Sequence, residues 1–173
     1  MVSTNTTPPS ANLPHMVEQV FRQFRTCEFS TMAKDGTPIT WPTLPFWDAP
    51  NQRFLITTSI ALTQKVQNVR RNPKVALFFS DPTASGLSSP PAVLVQGDAS
   101  APDQVATSIT GFEEALKEVF RRQPSSALYS SNRLTQWLMD WYYMRLTITI
   151  VPRRICWWPQ GDMSATPIEL EVE

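Results

Sequence analysis

Residues 55–79 read LITTSIALTQKVQNVRRNPKVALFF, and this stretch decides the fold. It continues an apolar, β-branched run from Arg53 to Thr58 that predicts a strand. Leu62, Val66 and Val69 then fall at i, i+4 and i+7, which predicts a short helix from about Thr63 to Arg71. Asn72-Pro73 ends it, because the residue before a proline is pushed out of the helical region. Val75 to Phe79 follows at once as a buried-type strand.

Working outward, the same texture of short strands and tight turns repeats. Upstream, Met16, Val17, Val20, Phe21 and Phe24 give His15–Phe24 one apolar helical face. Phe29 to Ala33 predicts a strand that ends at Lys34-Asp35-Gly36-Thr37-Pro38, a hairpin signal. Ile39 to Trp47 continues extended, and Pro42 and Pro45 mark it as an edge or an opening in the ladder. Downstream, Asp81 to Pro91 reads as a loop, and Ala92 to Gln96 as a strand closed by Gly97. Asp103 can cap a helix with Ile109, Phe112, Leu116, Val119 and Phe120 on its apolar face. Leu134, Trp137, Leu138, Trp141 and Tyr142 outline another, leading to a strand from about Met144 to Val151 that Arg153 to Trp158 prolongs. Strands joined by short turns predict a mainly β fold with short helices, an antiparallel barrel rather than a parallel α/β sheet. The domain is expected over 15–160, between a flexible polar N-terminal tail (1–14) and a C-terminal tail (161–173).

Composition narrows the function. The chain has 173 residues, enough for one domain, and its 15 Lys and Arg balance 15 Asp and Glu, so no global field draws it to nucleic acid or membrane. No window approaches the length of a membrane span, and the tail lacks the apolar core of a secretory signal. A cytoplasmic protein with Cys27 and Cys156 reduced is the expectation. His15 is the single histidine, which leaves a Ser-His-Asp or Cys-His hydrolase without a base and zinc without a ligand set. Neither GxGxxG nor a P-loop occurs. Difficult chemistry would have to come from a bound cofactor.

The residues that could hold one are in the opening stretch. Thr57, Thr58 and Ser59 end a strand, and Thr63, Gln64 and Lys65 open a helix. Hydroxyls, free amide donors and one lysine make a phosphate cradle. The same residues also suit a plain helix cap and a solvated lysine. Arg70 and Arg71 lie one to two turns on and can extend the positive field.

The order of these pieces resembles the pyridoxamine-phosphate-oxidase-like and flavin/deazaflavin oxidoreductase families. The resemblance rests on Phe29 to Pro38 as the first hairpin, the Thr-rich strand end with the lysine-bearing helix and Asn72-Pro73, Val93 to Ala99 as the returning strand, and Arg154 to Pro159 as the closing strand. It implies an FMN-binding split barrel, usually a homodimer with the cofactor in a groove between subunits. By that likeness Thr63, Gln64 and Lys65 would meet the phosphate, and Thr57, Thr58 and Ser59 the phosphate or ribityl chain. Thr40, Trp41, Pro42, Thr43 and Leu44 would line the isoalloxazine ring, and Trp158 would supply an aromatic wall, from the other subunit in a dimer.

The departures from the family carry equal weight. Where true pyridoxamine-phosphate oxidases have a basic residue and a lysine on and after the second strand, this chain has Trp41 and Phe46. Neither holds a phosphate by charge, so vitamin B6 phosphate is not the expected substrate. Heme relatives use a C-terminal histidine that is missing here. The resemblance therefore implies an FMN-dependent oxidoreductase for a small planar organic substrate, with the deazaflavin coenzyme or a non-catalytic flavin-binding protein as alternatives. The aromatic run of Trp137, Trp141, Tyr142 and Tyr143 suits packing or a lid, and Arg121-Arg122 and Arg153-Arg154 would suit an anionic deazaflavin tail.

Overall fold

Packing of a short amphipathic helix starts the fold in the computed structural model, which describes residues 13–59, 63–103, 105–106 and 145–172. Helix α1 (His15–Gln23) buries Val17, Val20 and Phe21, while Glu18 and Arg22 pair at 2.7 Å on its outer side. It ends where Phe24 turns extended.

Strands β1 (Cys27–Met32) and β2 (Pro38–Thr43) form the predicted hairpin, registered from Cys27 opposite Thr43 to Met32 opposite Pro38. Its turn uses Gly36 at φ 84°, where a side chain would be strained, and the Asp35 carboxylate accepts the Thr37 N–H at 3.0 Å. β3 (Phe46–Asp48) and β4 (Arg53–Ser59) form the next hairpin. Helix α2 (Gln64–Arg71) and β5 (Lys74–Phe79) follow, then β6 (Ala92–Ser100), β7 (Val105–Ala106), the 14-residue β8 (Arg145–Trp158) and β9 (Ile168–Glu171). Among the described residues all the strand pairs are antiparallel, and the order is β2-β1-β5-β6-β8-β4-β3, with β7 and β9 also on β8. The split-barrel expectation holds.

Two boundaries differ from the sequence reading. Gly97 does not close β6, which runs on to Ser100 with a register shift at Gln96/Gly97. A Cβ at Gly97 would lie 2.5 Å from the Val151 carbonyl oxygen, so glycine is there to let two backbones approach rather than to end a strand. Part of the C-terminal stretch 161–173, set apart as a tail, returns to the sheet as β9, with Ile168 opposite Trp157 and Glu171 opposite Arg154. The helices expected around Ile109–Phe120 and Leu134–Tyr142, and the Arg121-Arg122 pair, lie outside the described residues.

Strand alternation fixes what faces inward. Phe29, Phe54, Ile56, Leu77, Val93, Val95, Ile148 and Ile150 are all fully buried. At one end α1 closes this core with an aromatic cluster: the Phe21 ring lies 5.1 Å from Trp47, 4.8 Å from Phe54 and 5.3 Å from Phe79. Helix α2 packs against β1, where Asn68 meets Thr31 near the end of the strand.

Candidate functional site

Helix α2 has only eight residues, too few to be stable alone, so its seam with β1 must hold it. Val66 and Val69 supply the apolar contact, and between them sits Asn68, fully buried. Its Nδ2 donates to Thr31 Oγ1 at 3.0 Å, itself buried on β1. Its Oδ1 accepts from Gln64 Nε2 at 2.9 Å and from Arg71 Nη2. One amide thus ties the first and last residues of the helix to the sheet.

That seam presents Lys65. Its Nζ lies 5.6 Å from the centroid of the Trp41 ring on β2, in cation–π range, and the side chain is half-buried. Desolvation pushes its pKa below the usual lysine value. Among the described residues Lys65 has no carboxylate partner. Cys27 itself is buried, and that burial, helped by the Glu28 carboxylate, pushes its thiol up against the pull of Lys65. Burial thus favours the protonated thiol over the thiolate.

At the entry to α2, Thr63 makes no side-chain cap; its hydroxyl accepts from Gln67 Nε2 at 3.3 Å. The plain-cap reading of Thr63 thus does not describe its hydroxyl. Thr58 and Ser59 at the end of β4 are buried, whereas Thr57 is half-buried. On β2, Thr43 is buried, Trp41 half-buried, and Thr40 and Pro42 exposed. Thr40 Oγ1 is 2.7 Å from Ser30 Oγ across the hairpin. Half-buried Leu44 links β2 to β3. β2 ends the strand order, with Pro38 and Pro42 removing two donors from that edge.

The structure brings Trp41 and Lys65 together, with Gln64 held beside them through Asn68. It does not bring Trp158 to them within one chain. Trp158 pairs with Ala92 and meets the edge of Phe78 at 6.3 Å. Phe78 is opposite Glu28, so by alternation it faces away from Cys27 and α2. Trp158 thus belongs to the other face of the sheet. A cleft of about 420 Å³ opens nearby, lined among others by Phe24, Leu87, Ala92, Gln160 and Met163. Of the two arginines, Arg70 is committed to the carbonyls of Ala101 and Pro102 and to Asp103, and only Arg71 joins the Asn68 seam.

Sequence reasoning overlooked Asn68 and Thr31. The available signal was a polar residue four positions after Gln64, between Val66 and Val69 on a face otherwise apolar. His15, at the first turn of α1, is exposed. Among the described residues no three His, Cys, Asp or Glu converge as a metal site, and no helix is long and apolar enough to cross a membrane.

Known structures share this architecture at low identity. A Clostridium acetobutylicum protein related to general stress protein 26 of Bacillus subtilis (pyridoxinephosphate oxidase family) superposes with a TM-score of 0.57 at 12% identity, covering 91% of this chain and 94% of its own. A protein described as an F420 reductase gives 0.56 at 21%, covering 83% and 98%. A heme binding protein from Mycobacterium smegmatis gives 0.56 at 12%, covering 92% of this chain and 59% of its own. No curated sequence matches. At these identities the likeness shows the fold alone, but the family model for pyridoxamine 5'-phosphate oxidase matches residues 13–130, more than half of the chain. With the hairpin, the lysine-bearing α2 and the returning strands in their expected order, this chain belongs to the pyridoxamine 5'-phosphate oxidase family.

Proposed function

We propose that the protein binds FMN and serves as an oxidoreductase for a small planar organic molecule other than vitamin B6 phosphate. The observation that carries this reading is Lys65: a half-buried ammonium, stacked over Trp41, with no carboxylate partner among the described residues. Such a charge pays desolvation and gains most from an incoming anion. A phosphate fits it, since Lys65 opens a helix whose preceding Thr63 leaves the first-turn N–H groups without a side-chain cap.

In this reading Lys65 and the first turn of α2 hold the phosphate, and Trp41 with Thr40, Pro42, Thr43 and Leu44 lies along the ring system. The flavin supplies hydride and electron transfer when bound; the chain's residues bind it, orient it and limit water beside it. Trp41 and Phe46, both half-buried, make the substrate side aromatic and uncharged, which favours a planar neutral substrate. Since Trp158 and Phe78 occupy the opposite face of the sheet, they would reach a flavin only from a second copy of the chain. A homodimer with the cofactor between subunits follows as part of the proposal, and a monomer by light scattering removes that part.

The deazaflavin coenzyme is the second reading, since its phosphate would suit the same lysine and a structural neighbour is described as an F420 reductase. A flavin-binding protein without turnover is the third, favoured by the uncharged Trp41 and Phe46. Heme is not proposed, because the single histidine is exposed on α1. The test is the visible spectrum of purified protein with mass analysis of released ligand, followed by titration with FMN. Twin flavin bands and an FMN mass support the first reading, and a single deazaflavin-like band supports the second. A colourless protein that binds neither compound overturns all three. Reduction by a nicotinamide donor, with quinone or nitroaromatic acceptors, separates an enzyme from a binding protein.

A further inference from the structure

The Asn68 side chain is the most demanding polar group in the described structure. It is fully buried, yet both ends of its amide are used, with one donor bond to β1 and two acceptor bonds along α2. A buried amide left unmatched is costly, so this geometry admits one orientation of the side chain and, through it, one rotation of the helix. Val66 and Val69 alone would not set that rotation, because apolar contacts are non-directional.

The three α2 residues in the node, Gln64, Asn68 and Arg71, stand at i, i+4 and i+7 and so share one side of the helix. Thr31 belongs to the strand that pairs with the Trp41 strand, and Phe29, two residues before Thr31, is directly opposite Trp41. The node therefore connects the two halves of the Lys65–Trp41 contact. It fixes the helix that carries the lysine against the hairpin that carries the indole. Gln64, expected from sequence to meet the ligand, has its side-chain amide directed to Asn68. Arg71, itself exposed, donates one N–H to the same oxygen, so the node runs from the buried Thr31 hydroxyl out to the surface.

We infer that Asn68, acting with Thr31, is the positioning residue of the anion cradle: it sets the rotation of α2 at which Lys65 stands over Trp41, and so governs recognition of a ligand's phosphate without touching the ligand. This inference rests on the proposed phosphate-binding role of Lys65.

The probes that separate positioning from general support are FMN and riboflavin, which differ only by the phosphate. In the full-length chain, each is titrated by quenching of flavin fluorescence. Wild type is expected to favour FMN over riboflavin. Asn68→Leu, which keeps the side-chain size and removes every polar contact, weakens FMN binding by about tenfold and leaves riboflavin binding unchanged. Thr31→Val produces the same selective loss to a smaller extent, and it retains Asn68, so it carries the test if Asn68→Leu does not fold. Thr31→Ser, which keeps the hydroxyl, restores the wild-type preference.

Equal losses for the two probes, or a lowered melting temperature with the FMN preference intact, would mean that Asn68 only supports the fold, and the inference is overturned. Lys65→Ala is measured alongside. If it abolishes the FMN preference while Asn68→Leu and Thr31→Val do not, positioning alone fails. If wild type shows no preference, or Lys65→Ala leaves it unaltered, the cradle reading fails and takes this inference with it.

Discussion

The two described α-helices are almost equal in length, nine residues in α1 and eight in α2, and both pack on the sheet, yet they are attached by different physics. Helix α1 is held by apolar area: Val17, Val20 and Phe21 are buried, and the Phe21 ring is surrounded by Trp47, Phe54 and Phe79. Helix α2 buries two valines but is registered by a polar node, with Asn68 bonded to Thr31, Gln64 and Arg71. Apolar burial closes a barrel end effectively and tolerates small rotations. Directed hydrogen bonds specify a rotation, which a helix needs when one of its side chains must present a charge. The first region is thus where stability concentrates, and the second is where the proposed chemistry does.

The largest effect should come from the apolar end. Phe21→Ala removes the ring at the centre of the aromatic cluster and should cost about 4 kcal/mol in urea unfolding. In the fraction that remains folded, the preference for FMN over riboflavin should be unaltered; a changed preference would show that the two ends are coupled. Gly97→Ala acts between the regions, on the strand that joins β5 to β8. A Cβ there would lie 2.5 Å from a backbone oxygen and 3.2 Å from Ile150 Cγ2, and the oxygen cannot withdraw as a side chain can. A loss of about 3 kcal/mol is expected. An alanine variant as stable as wild type would mean that the β6–β8 bulge relaxes easily.

At the polar end the ranking of stability and binding should reverse. Lys65→Ala is expected to weaken FMN binding by about 2 kcal/mol, roughly thirtyfold, through loss of a charge-assisted contact. The free protein should be as stable as wild type or slightly more so, because a half-buried ammonium without a carboxylate partner among the described residues costs desolvation. Loss of stability together with unaltered FMN affinity would make Lys65 a packing residue and end the comparison.

How legible each region was from sequence follows from the same contrast. The apolar face of α1, the Asp35-Gly36 turn and the strands on either side of α2 were all readable, because spacing and turn chemistry are local signals. The contact of Trp41 with Lys65 was not legible in the sequence, since residues 24 positions apart meet here through sheet topology. Asn68 was not read at all: a polar residue on a short helix looks solvated until the strand across from it supplies a hydroxyl. Gly97 was misread for a related reason, as a glycine ending a strand and one admitting a neighbouring backbone look alike in one dimension. Trp158 was placed near the cofactor by family likeness, yet this chain alone sets it on the other face of the sheet.

The smallest expected effects are in pH, where the two regions should respond in opposite senses. Asp48 anchors the turn behind Trp47. Partial burial raises its pKa, but Arg53 Nε and Asn51 Nδ2, each 2.8 Å from Oδ2, outweigh that and bring it below the usual 3.8. A depressed carboxylate stabilises the fold above its ordinary pKa, and that contribution disappears as pH falls through the lowered value. Asp48→Asn should cost about 1 kcal/mol near neutral pH and nothing once the native carboxylate is protonated, as measured by urea unfolding in pH steps. Lys65 runs the other way. Its pKa in the free protein is below the usual 10.5, and a bound phosphate would favour the charged form and raise it. FMN affinity should therefore weaken as pH climbs through that lowered value, before an ordinary lysine would titrate, whereas riboflavin affinity should show no such step. If riboflavin shows the same step, the titrating group is not reading the phosphate. The charge at the polar end would then belong to the fold, as the charge at the apolar end does.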